Sequence, residues 1–201
     1  MMAELYITIG RQFGSGGREI GKKVAEALGI PYYDKELLAV AAQESGLSHE
    51  FLQSYDERPT NSFLYSLVMG QHHLSTGMPG STVEQMAANA QREAVLSVAD
   101  KGSCVIVGRC ADYILRDKPG LVRVFVSADW DARVQRVCRR DSVTEKEAVE
   151  KIRKMDKTRA SYYNFHTDRK WDSAENYDLC VSSSFHGPDR AVQVILDFCK
   201  Q

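Results

Sequence analysis

Between Gly10 and Glu19 the chain reads Gly-Arg-Gln-Phe-Gly-Ser-Gly-Gly-Arg-Glu, with glycine at 10, 14, 16 and 17. Glycines at this density let successive backbone N–H groups converge on one anion. Ile20, Val24 and Leu28 then recur at intervals of four, so a helix begins at the loop and adds free N–H donors and a partial positive charge. This is chemistry for holding a phosphate. The residues placed to do it are Gly14, Ser15, Gly16, Gly17, Arg18 and Glu19.

The pattern G-x-x-x-x-G-K-[ST] cannot be laid on this loop in any register. With Gly16 as its last glycine, Gly17 takes the lysine slot and Arg18 the hydroxyl slot. With Gly17 instead, Arg18 takes the lysine slot and Glu19 stands where a magnesium-binding hydroxyl belongs. In both registers Arg18 is the loop cation placed to reach a phosphate. A dinucleotide fingerprint G-x-G-x-x-G fits worse, since from Gly14 it ends on Glu19. The plain alternative is a tight glycine turn in some other α/β protein.

Further charges gather at predicted element ends. Gly108-Arg109-Cys-Ala-Asp112 is a polar turn after an apolar strand, and ligands bind at that edge of open α/β sheets. One helix carries Arg133, Arg136, Arg139 and Arg140, for which a solvated face is the simpler reading at Arg139 and Arg140. A later helix carries Arg153, Lys154, Asp156, Lys157 and Arg159 and leads into Ala160–Trp171, rich in aromatics. Cations near a helix end could simply offset its dipole. Their run into aromatics suggests a flap closing over anions and a base. His72 and His73 are adjacent, point different ways on a helix and have no third ligand nearby, so no metal site is expected there.

The elements that must position these groups follow from periodicity. Tyr6–Ile9 is a β-branched run suited to a strand buried in a parallel sheet. Ile30–Asp34 reads as a short second strand, after which Asp34 can cap the helix Lys35–Glu44. Ser48 caps another short helix, and Thr82 with Gln85 forms a capping box for a long one reaching Asp100. Cys104–Val107, Val122–Val126 and Leu179–Ser182 are the remaining strands. Ser142-Val-Thr-Glu145 starts the cationic helix by its capping box, and Pro188 opens a last helix that buries Ala191, Ile195 and Phe198. The irregular stretch to Ser81 contains Phe63–Met69, which needs burial, and reads as a substrate-covering insertion.

Composition narrows the classes. A chain of 201 residues with 43% apolar content forms one α/β domain with an ample core. Net charge of −1 argues against a bulk nucleic-acid binder or a membrane-surface protein. No apolar run approaches membrane-spanning length and no signal peptide is read before the first strand. Five cysteines without C-x-x-C spacing read as buried free thiols, in keeping with a reducing cytoplasm.

Together, Gly10–Ile20, Tyr32-Tyr-Asp-Lys35, Val107–Leu115 and Asp156-Lys-Thr-Arg-Ala-Ser-Tyr-Tyr163 resemble the cytidylate kinase-like family of P-loop nucleoside monophosphate kinases. The resemblance covers nearly the whole chain. It implies a three-layer P-loop kinase-like fold with a five-stranded parallel sheet, a helical acceptor-binding insertion at about 45–81 and a helical lid at about 141–172. It implies ATP and Mg2+ as cofactors, a small nucleotide (CMP or dCMP) as acceptor, and no nucleic-acid or membrane partner. The glycine loop, Gly14 to Glu19, corresponds to the donor-phosphate site and Arg109 to the acceptor-binding arginine. Asp156, Lys157 and Arg159 correspond to an Asp-Arg-x-Arg lid motif, Lys157 departing from arginine, and the family's loop lysine aligns with Gly17. On this basis Arg18, Arg133, Lys157 and Arg159 are the expected catalytic cations, and Asp34, Arg109, Asp112 and Arg153 the expected acceptor-side residues. Asp34 has helix capping as its competing role. The family's base-reading residues do not map onto 45–80.

Overall fold

The computed structural model describes residues 4–55 and 83–200. Its sheet has five strands, β1 (Tyr6–Arg11), β2 (Tyr32–Tyr33), β3 (Cys104–Val107), β4 (Leu121–Ser127) and β5 (Leu179–Ser182), in the order β2-β3-β1-β4-β5. Every pairing is parallel, and parallel neighbours need crossover connections. Helices supply them: α1 (Gly17–Leu28), α2 (Glu36–Ser45), α3 (His49–Tyr55), α4 (Val83–Asp100), the short α5 (Ala111–Ile114), α6 (Trp130–Asp141), α7 (Glu145–Thr167) and α8 (Gly187–Cys199).

Both faces of the central strands are apolar because both are covered. Ile7, Ile9, Val105 and Val107 pack with Ile20 and Val24 of α1 and Ala191 and Ile195 of α8. The alternate residues Tyr6, Cys104 and Ile106 pack with Leu37, Leu38 and Ala41 of α2 and Ala94, Val95 and Val98 of α4. Two smaller clusters lie at the carboxyl edge of the sheet. Val134 and Val137 of α6 meet Ala148 and Ile152 of α7. Tyr162, Tyr163, Trp171 and Tyr177 gather around Phe125 and Cys110.

The expected elements appear, with four corrections. The second strand keeps only Tyr32 and Tyr33, because Pro31 has no N–H and only its carbonyl pairs, accepting from Val105 at 2.9 Å. Asp34 does not cap α2; Lys35 occupies the cap position and no side chain bonds there. Ser142 is consumed by the left-handed turn (φ 53°) that ends α6, so the capping box moves two residues on. Glu147 N–H donates to Thr144 Oγ1 at 3.3 Å, and Thr144 N–H donates back to the Glu147 carboxylate at 2.8 Å. In α8, Val192 is buried beside Ala191 and Ile195, while Phe198 is half-buried.

Ser48 does cap α3, accepting from Phe51 N–H at 3.1 Å. Thr82, His72, His73 and the expected insertion beyond Tyr55 lie outside the described residues. All five cysteines are free; Cys104 and Cys110 are buried, whereas Cys180 is exposed on edge strand β5. Among the described residues no helix is long and apolar enough to cross a membrane.

Candidate active site

The strand order places a crevice where the chain leaves neighbouring strands in opposite directions. After β1 it turns through α1 toward the β2 edge, and after β4 it turns through α6 toward β5. Ligands of open α/β sheets sit at such a point, outside the carboxyl ends of the strands. A cavity of about 650 Å³ occupies this place.

Its floor is the glycine-rich loop. Gly14 and Gly16 both take left-handed backbone (φ +82°), and Gly16 precedes the first turn of α1. Gly16 is also a close-approach position: a Cβ there would lie 3.1 Å from the guanidinium carbon of Arg136. Gly14, Gly16, Gly17, Arg18 and Glu19 line the cavity. Ser15 does not. It is fully buried, its hydroxyl donating to the Gln12 carbonyl at 2.9 Å, while Ser183 donates to the Ser15 carbonyl at 2.6 Å.

The walls are strongly basic. Arg11, Arg18, Lys35, Arg109, Arg136, Arg140, Lys151 and Arg159 face two carboxylates, Glu19 and Asp141. Glu19 is held by Lys23 and Arg136, each at 3.0 Å, and Asp141 by Arg140 at 2.7 Å and Lys151 at 2.6 Å. Lysine and arginine contacts pull both carboxyls below the ordinary range, so each stays ionised.

Behind the cavity, Asp34 joins the glycine-rich loop to the turn after β3. Arg109, 3% exposed, donates to Asp34 Oδ1 at 2.8 Å and to the Val107 carbonyl at 3.1 Å. Arg18 reaches the other Asp34 oxygen through its Nε. Burial alone would raise the Asp34 carboxyl, but the charges of Arg109, Arg11 and Arg18 hold it below the usual value. Three guanidinium groups thus act on one carboxylate. Asp112 lies deeper, in a small chamber with Gly108, Arg109 and Arg159. Tyr163 donates to it at 2.6 Å, and burial pushes its carboxyl up.

The cations of α6 and α7 divide. Arg159 faces the cavity, donating to the Arg11 carbonyl at 3.1 Å with its guanidinium 5.5 Å from the Phe13 ring centre. Arg133 turns beneath the loop instead. It donates to the Phe13 carbonyl at 2.7 Å and to Asp156, whose other oxygen accepts from Phe13 N–H at 2.7 Å. Lys157 and Arg153 are exposed and lie outside the cavity lining; Arg153 stacks 5.7 Å from Trp130. The expected flap aromatics Tyr162, Tyr163 and Trp171 are buried in one cluster and line the small chamber beside Arg109 and Asp112.

Five lining cations went unselected by sequence: Arg11, Lys35, Arg136, Arg140 and Lys151. Arg136 and Arg140 are four apart and share a helix face, a spacing that was visible. Arg140 is exposed, in keeping with a solvated face, yet it also lines the cavity and lies 4.8 Å from the Phe13 ring centre. Arg11 had a weaker signal, as the last residue of a strand that the periodicity ended at Ile9.

A glycine-rich loop after β1, a parallel sheet of this order and a basic crevice define an α/β protein of the P-loop kinase fold. The chain belongs to the cytidylate kinase-like family, whose sequence profile matches residues 6–185. It is 24% identical over 194 residues to the cytidylate kinase of Pyrococcus horikoshii, covering 96% of this chain and 86% of that one. It is similar to the crystal structure of an uncharacterised protein from Eubacterium ventriosum (TM-score 0.74, 31% identity, 98% and 99% of the two chains). The shikimate kinase of Bacteroides thetaiotaomicron shares the fold at 14% identity (TM-score 0.56, 99% and 100% covered).

Proposed function

We propose that the protein is an ATP-dependent nucleoside monophosphate kinase that transfers the γ-phosphoryl group of ATP to CMP or dCMP. The observation that carries the reading is the excess of basic over acidic side chains around the glycine loop, eight against two. Phosphoryl transfer needs little covalent help from a protein; it needs reactants in line and charge neutralised on the moving group. The loop N–H groups hold the donor phosphates. Arg109, fixed by Asp34, binds the acceptor phosphate, and Arg159 reaches over Phe13 toward the group in transit. The relatives' names favour a cytidylate acceptor.

ATP fits the loop. For Mg2+ the fit is poorer, because no cluster of three metal-ligating side chains occurs among the described residues and Glu19 and Asp34 are both committed to arginines. An ion arriving with ATP would lean on the phosphates. The loop's lack of lysine favours a second reading, a nucleotide-binding protein without turnover. Release of ADP from ATP in the presence of CMP, dCMP, UMP, AMP or GMP separates the two. Turnover fastest with CMP or dCMP is expected. ATP binding with no turnover on any acceptor would favour the second reading, and turnover with a purine alone would discard the cytidylate acceptor.

A further inference from the structure

The family's loop lysine corresponds to Gly17, and the space its stem would need is already filled. A Cβ at Gly17 would stand 2.6 Å from Cβ and 3.1 Å from Cγ of Arg11, and 3.5 Å from Cβ of Val126. The first two distances belong to the root of the Arg11 side chain, on a strand paired with β3 and β4 and opposite Val126 in register. Such an atom cannot swing aside as a side-chain tip can. A lysine at 17 is therefore not merely absent; this backbone excludes it.

We propose that Arg11 has taken over the lysine's role, supplying from the end of β1 the cation that bridges the donor phosphates and the acceptor side. The inference rests on the kinase reading for the identity of the anion. Arg11 is 6% exposed and lines both the large cavity, beside Gly14, Gly16 and Gly17, and the small chamber that reaches Arg109 and Asp112. It stands at their junction, where a group in transit must pass. Its backbone is fixed there, because its carbonyl accepts from Arg159 at 3.1 Å. Arg11, Arg18 and Arg109 all act on Asp34, so three guanidinium groups gather beside the loop. A guanidinium also grips phosphate bidentately, whereas an ammonium acts as a point charge. Arg18, the loop's own cation, is half exposed and drawn to Asp34.

The role exchange is tested by calorimetric titration of MgATP and of inorganic tripolyphosphate into wild type, R11M, R11K, G17K and the double variant R11G/G17K, with circular dichroism checking each fold. Wild type should bind both, and R11M should bind both roughly tenfold to a hundredfold more weakly, the loss expected for one charge-assisted contact. R11K should fall between them. G17K alone should weaken binding rather than improve it, and removing the Arg11 side chain in R11G/G17K should recover about tenfold over G17K. Should R11M fail to fold, R11K and the G17K pair decide the matter. Binding by R11M as tight as wild type, or by G17K tighter than wild type, would overturn the assignment while leaving the kinase reading intact. A wild type that bound neither ligand would remove the kinase reading itself, and this inference with it.

Discussion

Asp34 sits after a strand of two residues, yet it fixes the position of two arginines from different parts of the chain. Arg109 meets it at 2.8 Å with both side chains almost fully buried, and Arg18 approaches from the loop. Removing one partner of such a buried pair costs about 3–5 kcal/mol. Asp34→Ala should therefore lower the melting temperature by roughly 6–20 °C, taking 2–4 °C per kcal/mol for a chain of this size. Added tripolyphosphate should restore part of the loss by supplying the missing anion, which differential scanning calorimetry would register. An unchanged melting temperature would mean that Arg109 is neutralised elsewhere. The carboxyl is held below its ordinary value, so its contribution is complete above about pH 4 and disappears only as pH falls through its folded value.

At the scale of elements, Phe13 joins the loop to two helices. Its carbonyl takes Arg133 of α6, its N–H gives to Asp156 of α7, and its ring centre lies 4.8 Å from the guanidinium of Arg140 and 5.5 Å from that of Arg159. The middle of α7, from Lys151 to Arg159, is thereby set along the cavity. Asp156→Ala would strand Arg133 beneath the loop, 4% exposed and without that carboxylate. It should destabilise the protein by several kcal/mol and raise the KM for ATP, because the loop loses the anchor of its Phe13 N–H. Steady-state kinetics with urea melts would check both effects. Arg159→Ala addresses a different step. If α7 is a lid whose cation acts mostly on the transition state, kcat should fall by tenfold or more while the KM for CMP changes little. An equal rise in KM would instead place Arg159 in ground-state acceptor binding.

For the whole molecule, the two apolar layers carry the fold and the basic crevice lies along one edge of the sheet, so most binding-site substitutions should leave the core intact. One titrating group is built into the wall where α4, α5 and α7 meet. His166 stacks 4.4 Å from Tyr162 in a pocket shared with Gln91 and Tyr113, and burial lowers its imidazole pKa below the usual 6.5. The unfolded chain takes up that proton more readily than the folded one. Stability from this group is thus fully present above about pH 6.5 and is lost as pH falls through the folded value. Melting temperatures between pH 7.5 and 5 should decline, and His166→Phe should flatten the decline. A parallel slope in wild type and variant would assign the acid sensitivity to other groups.

Sequence alone determined the layered α/β fold and the glycine-rich loop that opens the first helix, because both rest on local rules. Apolar runs of strand length, four-residue periodicity and glycines at 14, 16 and 17 act within a few neighbours. The cation at Arg159 was likewise legible from Asp156-Lys-Thr-Arg159 near a helix end. Tertiary structure decided which cations face inward. Arg133 and Arg136 are three residues apart on one helix, yet the first is buried under the loop and the second lies over Gly16. That difference depends on where Phe13 and Asp156 arrive from distant parts of the chain. The same holds for Asp34, which local rules offered as a helix cap and which two distant arginines claim instead. At Gly17 the sequence registered only a missing lysine; the 2.6 Å approach of Arg11 from a strand six residues earlier gives the physical reason. Long-range packing sets these contacts, and no spacing along the chain encodes them.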